Sequence, residues 1–241
     1  MDYGRTPNIL HHFSEDLFHL APIPFIYHRV QEKNTDEWHQ QLIWEARRAF
    51  SESVLEVPDV RHISDMGSTP QFDDPTWSET QIPAVGVWHS VPTNNYLELE
   101  APSVKVLKRL IEQRYLNAIA MLGDSGKHEP WISESWIQFY KQGDYKVLHN
   151  HERYGPPYPN NRWAGAYYID DGDPDATMPY SGLLSFLVRQ VNHYIRPLPG
   201  LLVMWPADIL HEVHPFYGTR ERVVVNFNIN IKALDKASNR Q

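Results

Sequence analysis

The sequence predicts an α+β chain in which helices brace an antiparallel β-sandwich or barrel. Three observations point to this. Two segments before residue 123 carry apolar residues at helical spacing, residues after 130 fall into short stretches rich in β-branched and aromatic side chains, and Gly, Pro, Asp or Asn separate those stretches. With 241 residues, 41% of them hydrophobic and 22% charged, the chain can bury one substantial core but has little room for a second. It reads as a single unit over 1–241, with 1–129 a helical and loop-rich support region and 130–232 the β core.

Residues 1–33 are rich in Pro, His and aromatics without a sustained period and read as irregular chain draped over the domain. Asn34 followed by Glu37 forms a candidate capping box. Trp38, Leu42, Ala46, Ala49 and Phe50 then recur at helical spacing and predict a helix over about 36–52. From 53 to 100 Pro, Ser, Thr and Asp predominate, with isolated tryptophans, which suggests loops and short strands packed by aromatics. A second helix is predicted over 104–122 from the stripe Val104, Leu107, Leu110, Ile111, Tyr115, Ala118, Ile119 and Leu122, with Gly123 as its stop. Strands are predicted at 136–140, 145–149, 163–169, 183–188, 201–205 and 223–231. Trp77, Trp88, Trp136 and Trp205 read as core.

Thirty acidic against 22 basic residues leave a net charge of -8, which argues against a phosphate-tracking surface and so against nucleic acid as a partner. The chain has no cysteine, which removes disulfides, thiolate-bound zinc, iron–sulfur clusters and cysteine nucleophiles together, so any metal must sit on His, Asp or Glu. No segment has the apolar length of a signal peptide or membrane span, and the expected location is cytoplasmic.

Thirteen histidines make any one of them a weak candidate ligand, so position must discriminate. His149 and His151 close a predicted strand in YKVLHNHERYG, and residues i and i+2 of a strand project from one face, where two imidazoles can chelate one ion. Alone, such a pair also suits a polar strand end. His211 follows sixty residues later in a strand-turn context, and Arg222 comes eleven residues after it at the start of the last strand. A guanidinium there could clamp a carboxylate beside a metal, or could be a solvated charge. Arg220 lies two residues earlier and is the alternative.

The stretches SWIQFYKQGDYKVLHNH, AGAYYID, PLPGLLVMWPADILHEVHP and RVVVNFNI together resemble the 2-oxoglutarate/Fe(II) oxygenases of the prolyl 4-hydroxylase-like group, especially those common in bacteriophage and bacterial genomes. The resemblance runs from about Trp136 to Ile231. It implies a double-stranded β-helix, a jelly-roll of cupin-like form, with the N-terminal helices buttressing its larger sheet. It implies Fe(II), 2-oxoglutarate as co-substrate and O2, with iron on His149, His151 and His211. By the same resemblance the far carboxylate of 2-oxoglutarate falls to Arg222, with Tyr168, Tyr140 and Asn226 nearby.

One position departs from the common pattern. The usual site is two His and one carboxylate, whereas the partner of His149 here is His151. Glu152 next to it is an alternative ligand, as are His193 and His214, and for His214, Glu212 and Asn226 two readings stay open, ligand-orienting groups or ordinary strand-end polar residues. The loops 153–162 and 170–181 leave strands that flank the expected iron and are candidates for substrate selection. The implied reaction is hydroxylation of an unactivated C–H bond in an amino acid, a peptidyl residue or a small metabolite, with release of succinate and CO2. Two other readings stay open: a three-His cupin-like enzyme that does not use 2-oxoglutarate, and a non-catalytic barrel that binds a ligand. Oligomeric state is open as well, a homo-oligomer included.

Overall fold

The computed structural model describes residues 17–20, 23–50, 88–89, 95–123, 128–151 and 162–233. In chain order the elements are β1 (Leu17–Leu20), β2 (Ile23–Arg29), α1 (Thr35–Phe50), β3 (Trp88–His89), a 3-10 turn (Tyr96–Glu98), α2 (Pro102–Met121), β4 (His128–Tyr140), β5 (Lys146–His149), β6 (Trp163–Asp170), β7 (Leu184–Val188), β8 (Val191–Ile195), β9 (Leu201–Pro206), β10 (His211–Val213) and β11 (Arg222–Ala233). They build two antiparallel sheets, one of seven strands in the order β1-β2-β9-β6-β11-β4-β3 and one of four in the order β5-β10-β7-β8.

Both helices fall where the apolar periodicity places them. In α1, Asp36 and Glu37 stand in the first turn and Arg47 and Arg48 in the last, each complementing the helix dipole. The polar contact at its start differs from the expected capping box. Thr35 Oγ1 accepts from the Glu32 amide at 2.9 Å and donates to the Glu32 carbonyl at 2.8 Å. Helix α2 opens with Pro102 in its first turn, where a missing N–H costs nothing, and ends before Gly123 at φ 81°.

The strands of the larger sheet alternate between two buried faces. Ile137, Phe139, Tyr167, Ile169, Leu202, Met204, Val223, Val225 and Phe227 pack beneath the helices with Leu42, Leu107 and Ile111. Their neighbours Tyr140, Ala164, Ala166, Tyr168, Val203, Trp205 and Val224 face the smaller sheet, packing with Leu184 and Phe186. Because both faces are buried, these strands read as almost continuous apolar runs. Each fully buried large side chain contributes about 1.5–3 kcal/mol, so truncating Leu107 or Phe186 to Ala should cost several kcal/mol.

Two expectations are corrected. The segment before residue 33 is not merely draped: β1 and β2 extend the larger sheet, with β2 paired to β9 through Ile26 to Met204 and Arg29 to Leu201. Pro24 and the absence of alternation hide this strand in the sequence. Strands β8 and β10 also escape the sequence pattern, β8 because its outer residues are exposed and β10 because it has only three residues. Most of 53–100 lies outside the described residues, as do Trp77, Glu152 and the loop 153–161.

Candidate metal centre

The two sheets bring one site together between them. His149 ends β5, His211 begins β10, and the two are register partners across that antiparallel pair. His151 lies two residues past His149, where its backbone N–H donates to the Ala207 carbonyl at 2.8 Å, tying it to the end of β9. All three imidazoles are buried, and a ligating atom from each lies within 4.8 Å of the others.

Each ring is held by its Nδ1. That atom donates to the Val147 carbonyl in His149 (2.7 Å), to the Ile209 carbonyl in His211 (2.9 Å) and to Asn228 Oδ1 in His151 (2.6 Å). The partners are acceptors, so the proton sits on Nδ1 and Nε2 carries a lone pair, the arrangement that second-layer acceptors impose on metal-binding histidines. The Nε2 atoms of His151 and His211 face each other at 3.1 Å, and Nε2 of His149 is buried with no hydrogen-bond partner. Lone pairs converging this closely repel unless a cation lies between them, so the donor set fits a divalent metal. Burial, then the neighbouring His211, Lys146 and His151, hold the His149 pKa well below its ordinary value, keeping that ring neutral and able to ligate.

Asn228 is a residue that sequence reasoning missed. It is fully buried on β11, and its Nδ2 donates to Glu134 at 2.9 Å, which turns Oδ1 toward His151. A carboxylate therefore does act at this position, through an amide, behind the ring that stands where a carboxylate ligand was expected.

A cavity open at its mouth joins these histidines to Arg222, Tyr140, Tyr168, Gln138 and Asn226. Arg222 is 1% exposed, its guanidinium stacked over the rings of Tyr140 (4.0 Å) and Phe216 (5.4 Å), with Nη1 donating to the Gly182 carbonyl at 2.6 Å. Its Nε has no hydrogen-bond partner, and no carboxylate among the described residues forms an ion pair with it. A buried guanidinium without an acid partner is costly, and a bound anion relieves that cost. Gln138 Oε1 accepts from both the Tyr140 hydroxyl (3.0 Å) and Asn226 Nδ2 (2.8 Å). Burial, opposed by Arg222, leaves the Tyr140 pKa pushed up to about 12 and raises that of Tyr168 as well, so both remain neutral donors.

The alternatives separate clearly. Arg220 is outside β11, 58% exposed, and pairs with Asp170 at 2.7 Å. His193 stands opposite Phe186 on β8, and His214 lies 3.6 Å from Glu212; neither joins the cluster. The loop 170–181 also differs from expectation. Strand β6 runs from the His151 end to the Arg222 end, so this loop leaves at the arginine end, where Asp170 and Asp173 bond Arg220 and Thr219.

Trp136 and Trp205 are core residues, as expected, but they also line the cavity. Trp136 stacks on His151 with centroids 5.9 Å apart, and Trp205 meets His211 edge-on at 4.8 Å. Lys146 also lines it, again unforeseen. From His149 to Lys146 takes three residues while the partner strand spans two from His211 to Val213, so a bulge in β5 places both side chains inward.

Residues 134–228 match the family described as Putative 2OG-Fe(II) oxygenase. Comparison of the sequence with curated proteins gives no match. Among solved structures, the chain is similar to a prolyl-4-hydroxylase of Pseudomonas putida, with 16% identity over 86% of this chain and 93% of that one and a TM-score of 0.54. It is similar to a prolyl hydroxylase of Trichoplax adhaerens solved with a hypoxia inducible factor peptide fragment (14% identity, 85% and 82% covered, TM-score 0.55). It is also similar to a non-heme alpha-ketoglutarate-dependent carbocyclase from nogalamycin biosynthesis (10% identity, 87% and 81% covered, TM-score 0.56). These likenesses carry the fold, a double-stranded β-helix, and the family match carries the chemistry. The stretch 134–228 thus carries the match to the 2-oxoglutarate/Fe(II) oxygenases, enzymes whose cofactors are Fe(II), 2-oxoglutarate and O2, and all three histidines of the cluster lie within it.

Proposed function

We propose that this oxygenase hydroxylates an unactivated C–H bond of an amino acid, a peptidyl residue or a small metabolite, with iron on His149, His151 and His211 and the far carboxylate of 2-oxoglutarate on Arg222. The observation that carries the reading is one cavity holding both three converging imidazole Nε2 atoms and a buried guanidinium that lacks an acid partner. A three-His enzyme that did not use 2-oxoglutarate would leave that guanidinium without a purpose.

When bound, iron and 2-oxoglutarate supply the oxidation, with O2 consumed as the co-substrate is converted to succinate and CO2 and the C–H bond gains oxygen. The protein's part is placement. The Nδ1 acceptors lock the three rings, so ligand geometry is set before metal arrives. Gly182 and the Tyr140 and Phe216 rings hold the Arg222 fork in one orientation, so a carboxylate meets preset donors. Tyr140 and Tyr168 line the same end as neutral hydroxyls, and Asn226 steadies Gln138 between that end and the histidines. Trp136, Trp205 and Leu184 keep the cavity walls apolar and limit water. The similar structures include one solved with a peptide and a carbocyclase of a biosynthetic pathway, and both substrate kinds suit this reading.

The test is anaerobic addition of Fe(II) and 2-oxoglutarate to the purified protein. A metal-to-ligand charge-transfer band, followed by succinate on admitting O2, is expected. Absence of the band in metal-replete protein refutes the assignment.

A further inference from the structure

Two indole N–H groups beside the histidines are buried without an acceptor, those of Trp136 and Trp205. An indole nitrogen only donates, so each stays unpaired unless something else supplies a lone pair. Trp205 has a local remedy. It meets Phe186, His211 and His151 edge-on, with centroids 5.0, 4.8 and 6.3 Å away, and an edge N–H can rest weakly on a ring face. Trp136 has none. Among the described residues its ring neighbour is His151, on which it stacks at an interplanar angle of 24°, so its edge points past that ring and not at its face.

Trp136, Gln138 and Tyr140 take successive inward positions on β4 and line the cavity together. The row runs from the metal end, where Trp136 stacks on His151, to the arginine end, where the Arg222 guanidinium covers Tyr140. Trp136 and Tyr140 are four residues apart, roughly 13 Å, with Gln138 half way. Gln138 is turned in one direction. Its Oε1 accepts from the Tyr140 hydroxyl and from Asn226 Nδ2, so Nε2 is the end left for the cavity. Strand β4 thus offers two N–H donors in line, one beside the imidazoles and one between them and Arg222.

A molecule that reaches from the metal to Arg222 must pass this row. With its far carboxylate on Arg222, 2-oxoglutarate turns its keto-acid end toward the histidines. A carboxylate that gives one oxygen to a metal keeps a second, charged oxygen that calls for donors. We propose that Trp136 Nε1–H and Gln138 Nε2–H bind that second oxygen, which makes both residues co-substrate-binding groups at the keto-acid end. The proposal rests on the 2-oxoglutarate reading above and deepens it. It also gives the contacts of Gln138 with Tyr140 and Asn226 a purpose, since they hold the amide with its donor forward.

The test uses protein isotopically labelled at its tryptophan nitrogens and loaded with Zn(II), a diamagnetic stand-in for iron. On addition of 2-oxoglutarate the Trp136 indole N–H resonance should move downfield, as a proton entering a hydrogen bond does. Trp136→Phe keeps a ring stacked on His151 and identifies that resonance by its loss. In anaerobic Fe(II) protein this variant should raise the half-saturating 2-oxoglutarate concentration on the order of tenfold, with metal affinity changed by less than about twofold. Its charge-transfer band should move to shorter wavelength, because the lost donor no longer stabilises the electron-richer excited ligand. Gln138→Glu keeps an oxygen for Tyr140 and Asn226 but sets a second acceptor against the carboxylate, so 2-oxoglutarate binding should weaken more than in Trp136→Phe.

An unmoved Trp136 resonance in protein saturated with 2-oxoglutarate overturns the proposal. So does a Trp136→Phe variant with the wild-type band and 2-oxoglutarate affinity, or one whose loss lies in metal binding, which would leave Trp136 as a support for His151 alone. Undiminished affinity in Gln138→Glu overturns the part given to Gln138. If Trp136→Phe does not fold, the wild-type resonance, assigned through its proximity to the His151 ring, still decides. Failure of the underlying reading looks different, since no band then forms with Fe(II) and 2-oxoglutarate and no indole resonance responds.

Discussion

Asn228 Oδ1 lies 2.6 Å from His151 Nδ1, and the same amide donates through Nδ2 to Glu134 at 2.9 Å. This chain of contacts crosses from β11 to the residue after β5 and decides which nitrogen of His151 faces the other two imidazoles. Replacing Asn228 with Ala frees the ring to rotate and change tautomer. Metal affinity should fall about 10–100-fold, measured by competition with a chromogenic chelator. Unchanged affinity would remove the positioning role of Asn228.

Restoring the common carboxylate at the second ligand position should not improve the site. In His151→Asp the new carboxylate meets Asn228 Oδ1, acceptor against acceptor, and turning the amide over would point its donor away from Glu134 and its oxygen toward that carboxylate. The variant should bind Fe(II) more weakly than wild type, and adding Glu134→Gln should recover part of the loss. A single variant that binds more tightly contradicts this.

Arg222→Ala should raise the half-saturating 2-oxoglutarate concentration on the order of 100-fold, since truncating one partner of a buried charge pair costs about 2–5 kcal/mol. Arg222→Lys keeps the charge but loses the fork and the stacking on Tyr140 and Phe216, so it should recover only part. Titration of the charge-transfer band reports both. Normal binding by the Ala variant would move the carboxylate site elsewhere.

Gly182 is required by its neighbour. It adopts φ +61°, and a Cβ there would lie 2.6 Å from Arg222 Nη1 and 3.0 Å from a Phe216 ring carbon. Gly182→Ala should cost about 1–3 kcal/mol by urea unfolding and weaken 2-oxoglutarate binding by displacing the guanidinium. Stability lost without any change in binding would separate the two roles.

His149 supplies a pH test on metal-free protein. Burial lowers its folded pKa below the ordinary 6.5, so below about pH 6.5 the unfolded chain takes up a proton that the folded ring refuses. The unfolded state then binds more protons, and stability must fall as pH falls through that window, by up to about 1.4 kcal/mol per pH unit for one site. Denaturant midpoints between pH 7.5 and 5.5 should show a slope that shrinks in His149→Asn. An identical slope in the variant would assign it to other groups.

Much of the fold was legible in the chain. The two helices announce themselves through Trp38, Leu42 and Ala46 and through Leu107, Ile111 and Tyr115, because burial of one helical face imposes a period that local reading detects. Strands β6, β9 and β11 are recognisable from their Val, Tyr and Leu content, although which of their faces meets the helices is not, since both are buried and both are apolar. Strands β2 and β10 were hidden because pairing with β9, β5 and β7, rather than their own composition, makes them strands.

The candidate site divides along the same line. His149, His151, His211 and Arg222 could be singled out because residue type and spacing express their chemistry: three imidazoles near strand ends and one guanidinium on the closing strand. Lys146, Asn228, Glu134, Gln138 and Gly182 could not. Lys146 faces inward only because β5 bulges against β10, Asn228 reaches His151 across 77 residues of sequence, and Gly182 meets Arg222 across 40. By itself the sequence determined the two helices, the strands with a composition of their own and the atoms able to bind metal, since these are properties of short segments and single side chains. The burial of Arg222 against the exposure of Arg220, the tautomer of each histidine and the placing of Lys146 beside the three imidazoles were decided by register and packing, which exist only once the two sheets close on each other.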